Sequence, residues 1–254
     1  MLIAEKVNDV DMKNRLQFDD TGYMSGRPLR PDQWQAVADG APEGIVISRN
    51  AAPPGFFIVN NFLDASVCDA IVNECEALPG QQHTVAALDD QAANAVQSSA
   101  RVSEMIDVRS ITQDVNGLVQ NTYANVVGPH FRSTIEWFEQ PEILRYKPGG
   151  QYKPHADADN WFPETKNWKR VIDRDLSILI YLNEGFSGGE IVFPNFGVTL
   201  QPTRGLLIAF PSDCRYLHTA RPVTAQTRYA LVSWAAIKGG PRVQAAPQRP
   251  VIRM

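Results

Sequence analysis

The chain has 254 residues, 44% of them hydrophobic and 20% charged, enough for one large domain or two small ones of ordinary globular composition. Its formal net charge of −4 gives no electrostatic reason to expect a nucleic-acid or membrane partner. No apolar stretch approaches membrane-spanning length; Gly205–Phe210 is among the longest, which points away from an integral membrane protein.

The first residues, MLIAEKVNDVDMKNR, lack a basic region followed by an apolar run, so no secretory signal is expected and the predicted location is cytoplasmic. Residues 1–50 are punctuated by turn formers and have no sustained apolar period; only Pro31–Ala38 is briefly helical. They are expected to form an N-terminal arm. Phe56–Asn60 suits a buried strand, and Asp64 can cap a helix whose apolar positions are Val67, Cys68, Ile71, Val72 and Cys75, stopped by Pro79-Gly80. The three cysteines, Cys68, Cys75 and Cys214, have neither zinc nor disulfide-framework spacing. They read as buried small hydrophobes in a reducing compartment.

Gln81–Ala100 is polar and alanine-rich, read as loop or weak helix. Arg101–Arg109 fits a strand, and Val115–Val127 an amphipathic helix ended by Gly128-Pro129. From Glu142 onward the pattern is almost entirely strand: Ile143–Tyr146, Gln151–Asp157, Leu176–Leu182, Glu190–Phe193, Thr199–Gln201, Gly205–Phe210, Tyr216–Thr219 and Tyr229–Ala235. Helices first and short strands with Gly/Pro turns afterwards predict an α+β chain on a sandwich or jelly roll, the helices covering one face. After Lys238 the Pro- and Gly-containing tail is expected to be peripheral.

The candidate chemistry centres on His155-Ala156-Asp157. In extended backbone, residues i and i+2 share a face, so His155 and Asp157 can converge on one ion, with a distant histidine as third ligand. Two imidazoles and a carboxylate with open positions suit non-haem Fe(II). Asp159 lies two residues further, so spacing leaves the carboxylate open between Asp157 and Asp159. His83 and His130 have no ligand pattern around them and read as surface or structural residues; Glu190 reads as part of a hairpin. Asp159–Asp175 carries Trp161, Phe162, Trp168, Lys166, Lys169 and Arg170 in what reads as a long loop, either a lid or a packed surface loop.

Several stretches together form a pattern: Arg145-Tyr-x-Pro-Gly-x-x-Tyr152-x-Pro-His155-x-Asp157, Tyr181-Leu-Asn183, Gly188-Gly-Glu190, Phe210-Pro211 ahead of His218, and Thr227-Arg228-Tyr229-x-Leu-Val-Ser-Trp234. The pattern resembles the prolyl 4-hydroxylase-like branch of the 2-oxoglutarate- and Fe(II)-dependent dioxygenases. The resemblance covers residues 53–237 and implies a double-stranded β-helix core in a domain spanning 51–237, followed by a tail over 238–254. It also implies that His155, Asp157 and His218 hold Fe(II). Arg228 then receives the distal carboxylate of 2-oxoglutarate, with Tyr146 and Ser177 beside the co-substrate. Tyr152, Trp234 and Arg101 are implied substrate contacts.

The implied reaction uses O₂ and 2-oxoglutarate, with ascorbate as reductant, to hydroxylate an unactivated C–H while releasing succinate and CO₂. A prolyl or other peptide residue is the first substrate expectation. A free amino acid or small metabolite is the alternative, and a catalytically silent binding module or a zinc hydrolase are the readings from other classes. An arginine at 228, where many collagen-type relatives have lysine, departs from the pattern and weakens the inference to proline. Asp157 argues against the halogenating relatives, which have a small residue there.

Overall fold

The computed structural model describes residues 54–82, 85–86, 95–96, 101–106 and 112–254; the N-terminal arm, His83 and the 31–38 segment lie outside the described residues. In chain order come β1 (Phe57–Val59), α1 (Ala65–Glu76), β2 (Gly80–Gln82), β3 (Val85–Ala86), β4 (Ala95–Val96), β5 (Arg101–Val102) and β6 (Glu104–Ile106). Then follow α2 (Thr112–Thr122), a π-helical turn over Tyr123–Val127, and α3 (Gly128–His130). The strand-rich half holds β7 (Ile135–Glu139), β8 (Glu142–Tyr146), β9 (Gln151–His155), β10 (Asp159–Phe162), β11 (Asn167–Arg170) and β12 (Leu176–Tyr181). It continues with β13 (Ser187–Gly188), β14 (Ile191–Phe193), β15 (Val198–Leu200), β16 (Leu207–Pro211), β17 (His218–Ala220), β18 (Val223–Ala225), β19 (Arg228–Ile237) and β20 (Val251–Arg253).

Two antiparallel sheets of nine and five strands make the double-stranded β-helix. The larger runs β1-β16-β12-β19-β8-β6-β2, with β7 also on β19 and β20 on β7. The smaller runs β15-β14-β17-β9-β5. Registers Ser177↔Trp234, Leu179↔Val232, Tyr181↔Ala230, Ala230↔Leu144 and Arg228↔Tyr146 put these side chains on one face of the larger sheet. The alternate set, Leu176, Ile178 and Ile180 with Leu231, Ala235 and Ile143, lies on the other face. That second face joins Cys68, Ile71 and Cys75 of α1 and Val115 and Val119 of α2 in one buried cluster. Each fully buried aliphatic side chain there contributes about 1.5–3 kcal/mol by leaving water. Strand periodicity thus assigns one face to the core and leaves the other for the site.

Several local expectations are corrected. Within Gln81–Ala100 the described residues are strand, β2 and the β3–β4 pair, not helix. Asp64 stands at the N-cap of α1 without a side-chain cap bond, and Val67 is exposed, so the buried stripe is narrower than its apolar positions. The helix expected to end at Gly128-Pro129 runs on to His130. Proline lacks an N–H and its ring collides with the carbonyl four residues back; the π turn just before it lengthens each hydrogen-bonded loop by one residue, which widens the helix there. His130 stacks on Phe57 with centroids 4.1 Å apart, a packing role.

Among the strands that carried no sequence signal are β7 and β20. β7 follows a helix end closely, and β20 in the tail extends the larger sheet by pairing with β7 through Ile252↔Phe138. Residues 159–175, read as a loop, contain the hairpin β10–β11 instead. Its Trp161↔Trp168 pair packs on Cys214 and Leu217, a satellite core that fixes it.

Candidate active site

β9 delivers His155, and a bulge in its pairing with β17 decides what stands beside it. His218 pairs with His155 and Ala220 with Tyr152, so two steps on β17 match three on β9. The extra residue turns Tyr152 to the same side as His155, and their rings stack at 3.5 Å with an interplanar angle of 16°. Asp157 lies in the bend just past the end of β9 rather than within a strand. It converges with His155 nonetheless.

The ligating atoms of His155, Asp157 and His218 all lie within 4.8 Å of one another. His155 Nε2 is 3.6 Å from Asp157 Oδ1, and His218 Nε2 is 3.8 Å from Asp157 Oδ2. Each imidazole is oriented by its own backbone: Nδ1 of His155 lies 2.9 Å from the Lys153 carbonyl, and Nδ1 of His218 lies 3.0 Å from the Tyr216 carbonyl. A carbonyl only accepts, so Nδ1 carries a proton in both rings and Nε2 is the atom turned towards the Asp157 carboxylate. Burial, reinforced by His218, pulls the His155 imidazole down to about 3. Burial alone would raise Asp157, but His218, His155, Arg174 and the Ser177 hydroxyl outweigh it and hold the carboxyl below its usual value. A neutral His155 imidazole and an ionised Asp157 carboxylate are protonation states that suit a bound cation.

Asp157 is itself held from behind. Ser177 Oγ donates to its Oδ2 at 2.7 Å and lies 2.8 Å from Ser212 Oγ. Arg174 Nη1 donates to its carbonyl at 3.1 Å. Arg174 pairs bidentately with buried Glu139 at 2.5 and 2.6 Å and lies 3.8 Å over the Trp234 ring. Asp159, the competing carboxylate, accepts the Cys214 amide at 2.8 Å, a structural bond outside the cluster.

The lining of the cavity between the sheets includes the triad, Arg101, Tyr146, Tyr152, Tyr181, Arg228 and Trp234. Arg228, 3% exposed, opens β19; its Nη1 donates to the Gly189 carbonyl at 2.7 Å and its Cζ lies 3.9 Å over the Tyr146 ring. Its Nε has no hydrogen-bond partner. Gly189 has φ +69°, and a Cβ there would press on Arg228 Cδ at 3.3 Å, so glycine lets the arginine lie on the chain. Tyr181, not expected at the site, lies 5.8 Å from the Arg228 Cζ, and burial pushes its hydroxyl up to about 12. Its place in the Tyr181-Leu-Asn183 stretch, at the end of a strand and in phase with Ser177, is the signal that could have revealed it. Glu139 and Arg174 were missed because nothing in the sequence links them across 35 residues. No residue of the β10–β11 hairpin lines the cavity. No helix among the described residues is long and apolar enough to cross a membrane.

Residues 141–236 match the family model of the 2OG-Fe(II) oxygenase superfamily, 2OG being 2-oxoglutarate. Prolyl 4-hydroxylase 1 of Arabidopsis thaliana is 30% identical over 113 residues, which cover 37% of this chain and 39% of that protein. Probable prolyl 4-hydroxylase 7 of the same plant is 24% identical over 210 residues, 73% of this chain and 63% of that one. The chain therefore spans less than two thirds of either relative. A prolyl hydroxylase from Trichoplax adhaerens, solved with a hypoxia inducible factor peptide fragment, superposes with TM-score 0.53 at 22% identity over 72% of this chain and 83% of that one, a likeness of fold. The motif-bearing strands lie inside the segment that matches the 2OG-Fe(II) oxygenase superfamily, with the double-stranded β-helix around them, and the chain is similar to prolyl 4-hydroxylases over that segment and beyond it.

Proposed function

We propose that the protein is an Fe(II)- and 2-oxoglutarate-dependent dioxygenase that hydroxylates an unactivated C–H bond. The observation that carries this reading is one cavity with a two-histidine, one-carboxylate cluster at one end and a buried guanidinium with an unsatisfied Nε at the other. The donor set fits ferrous iron, since imidazole and carboxylate suit that ion and three protein ligands leave three octahedral positions open. The far end fits a carboxylate, which a planar guanidinium grips through two N–H groups. When bound, the iron supplies O₂ activation coupled to oxidative decarboxylation of 2-oxoglutarate to succinate and CO₂, one oxygen atom entering succinate and the other the substrate C–H.

In this reading His155, Asp157 and His218 hold the metal, while Ser177 and Arg174 hold Asp157 in position. Arg228 binds the distal carboxylate of 2-oxoglutarate, with Tyr146 and Tyr181 walling it from water. Tyr152 and Trp234 form the apolar walls on which a substrate lies. The catalytic domain is residues 51–237, with 1–50 an appended arm and 238–254 a tail laid on its larger sheet. The prolyl hydroxylases among its relatives support a prolyl or other peptide residue as substrate; a free amino acid or small metabolite uses the same chemistry.

The test is an anaerobic visible spectrum of metal-free protein titrated with Fe(II) and then 2-oxoglutarate. Chelation of the keto acid on a ferrous site produces a charge-transfer band, expected in the wild type and absent in His155→Ala. A correctly folded wild type with no band would remove the dioxygenase reading and leave a zinc enzyme or a binding module.

A further inference from the structure

Four arginines among the described residues are buried: Arg101, Arg174, Arg215 and Arg228. Arg174 has Glu139 and Arg215 has Asp213, at 2.5 and 2.6 Å. Arg101 and Arg228 have no carboxylate within ion-pair distance among the described residues, and they are the two that line the cavity. A buried cation without a counter-charge is costly, and a protein that maintains two of them in one cavity is built to receive anions. The dioxygenase reading, on which this inference rests, accounts for one anion at Arg228. It leaves Arg101 without one.

The position of Arg101 relates it to the reacting centre. It is 5% exposed and pairs with Tyr152 across β5 and β9, on the cavity side of the smaller sheet. Its guanidinium lies 4.7 Å over the Tyr152 ring, and the same ring stacks on His155 at 3.5 Å. Tyr152 thus contacts both the arginine and a candidate metal ligand. One hydrogen bond fixes the guanidinium, from Nε to Ser103 Oγ at 3.2 Å, and among the described residues its two terminal nitrogens make none. The charges agree. A ferrous ion, the Asp157 carboxylate, doubly ionised 2-oxoglutarate and Arg228 sum to zero, so the loaded cavity retains the single positive charge of Arg101.

We propose that the substrate bears a carboxylate and that Arg101 binds it, placing the C–H to be hydroxylated on the apolar wall between Tyr152 and Trp234. That carboxylate comes either from the main chain of a free or C-terminal amino acid or from an acidic side chain.

The experiment uses the full chain loaded anaerobically with Fe(II) and 2-oxoglutarate. The probes are the N-acetyl amino acids, their primary amides, and the amides of N-acetyl-aspartate and N-acetyl-glutamate. Binding is read by calorimetry and by the shift of the charge-transfer band, and turnover by succinate release after O₂ is admitted. Acids should bind and amides should not. Response to the side-chain acids alone assigns the carboxylate to the side chain, and response to the α-carboxylates assigns it to the main chain. Arg101→Gln should weaken acid binding by ~10-fold or more with an unchanged 2-oxoglutarate titration, and Arg101→Lys should recover part of it. Amides binding as well as acids, no probe binding at all, or an Arg101→Gln protein that binds acids normally would each overturn the proposal. Absence of the band before any probe is added is a different failure. It removes the dioxygenase reading, and calorimetry of the acids on wild type and Arg101→Gln then still decides whether Arg101 is a carboxylate site.

Discussion

The two ends of the cavity are built by opposite rules. At the triad, hydrogen-bonding capacity directed away from the centre is already used: both imidazole Nδ1 groups on backbone carbonyls, Asp157 Oδ2 on Ser177 and the Asp157 carbonyl on Arg174. Only the atoms that face the centre remain available. At Arg228 the guanidinium is held mainly by aromatic faces and one glycine carbonyl, and its Nε is left unsatisfied. Saturation from behind fixes direction, which a metal requires. Incomplete satisfaction leaves capacity, which a ligand that comes and goes requires. The difference separates a resident site from a visited one without reference to any bound group.

Substitutions can break that comparison at either end. The largest effect is expected for Asp157→Ala, which removes the only negative charge of the triad; Fe(II) or Co(II) binding, followed by titration of the visible spectrum, should be lost with or without 2-oxoglutarate. Arg228→Ala should leave that metal binding intact and weaken 2-oxoglutarate by roughly 2–5 kcal/mol, the usual cost of truncating one partner of a buried charged pair. Equal loss of metal and co-substrate in both variants would show that the two ends are one unit.

Next in size is Arg174→Met, which leaves buried Glu139 without its bidentate partner and with only Arg249 Nε, 3.9 Å away, as a counter-charge. Breaking a buried pair in this way costs about 3–5 kcal/mol, read as a lower denaturant midpoint of the metal-free protein. Smaller is Ser177→Ala. It removes one hydrogen bond to Asp157 and should weaken metal binding by about 10–100-fold while changing the unfolding midpoint little. Measuring affinity and midpoint on both variants distinguishes support of the fold from support of the ligand.

Much of this was legible in the sequence. Leu176–Tyr181 and Arg228–Ile237 read as strands because both faces are covered, one by helices and one by the cavity, which makes them nearly continuous runs of apolar, strand-favouring residues. The candidate set of His155, Asp157, His218 and Arg228 was read through the family pattern that carries those residues, and the structure places all four on one cavity. What was not legible depends on distance along the chain. Glu139 and Arg174 meet through a β7 that carried no pattern of its own, and the bulge that brings Tyr152 under His155 is a property of a strand pair, not of either strand. Ser177 was expected beside the co-substrate, and its hydroxyl is bonded to Asp157. The hairpin after Asp159 read as a loop because its Gly-free turn sits at Lys166, a non-glycine residue with φ 46°, where no glycine marked the reversal.

The smallest expected effect comes from an ion pair outside the cavity, and it sharpens the contrast with Arg174–Glu139. Glu104 bonds Arg145 Nε at 2.6 Å and Lys147 Nζ at 2.7 Å. Arg145 also donates to the Cys75 and Leu78 carbonyls at the end of α1, tying that helix to the sheet face opposite the site. Partial burial alone would raise the Glu104 carboxyl, but the hydrogen bonds and charges of Lys147 and Arg145 outweigh it and hold it below its usual value near 4.5. A carboxylate depressed in the folded state contributes stability above its unfolded value, and loses it as pH falls through the folded one. Solvent reaches Glu104 and Lys147, so the contribution should be below ~1 kcal/mol and should shrink with salt. Glu104→Gln is therefore expected to leave stability slightly reduced at pH 7 and to flatten its decline below pH 4.5, with metal and 2-oxoglutarate titrations unmoved. A shift in either titration would show that Tyr146, between the two basic partners and against Arg228, transmits this surface pair to the anion end of the cavity.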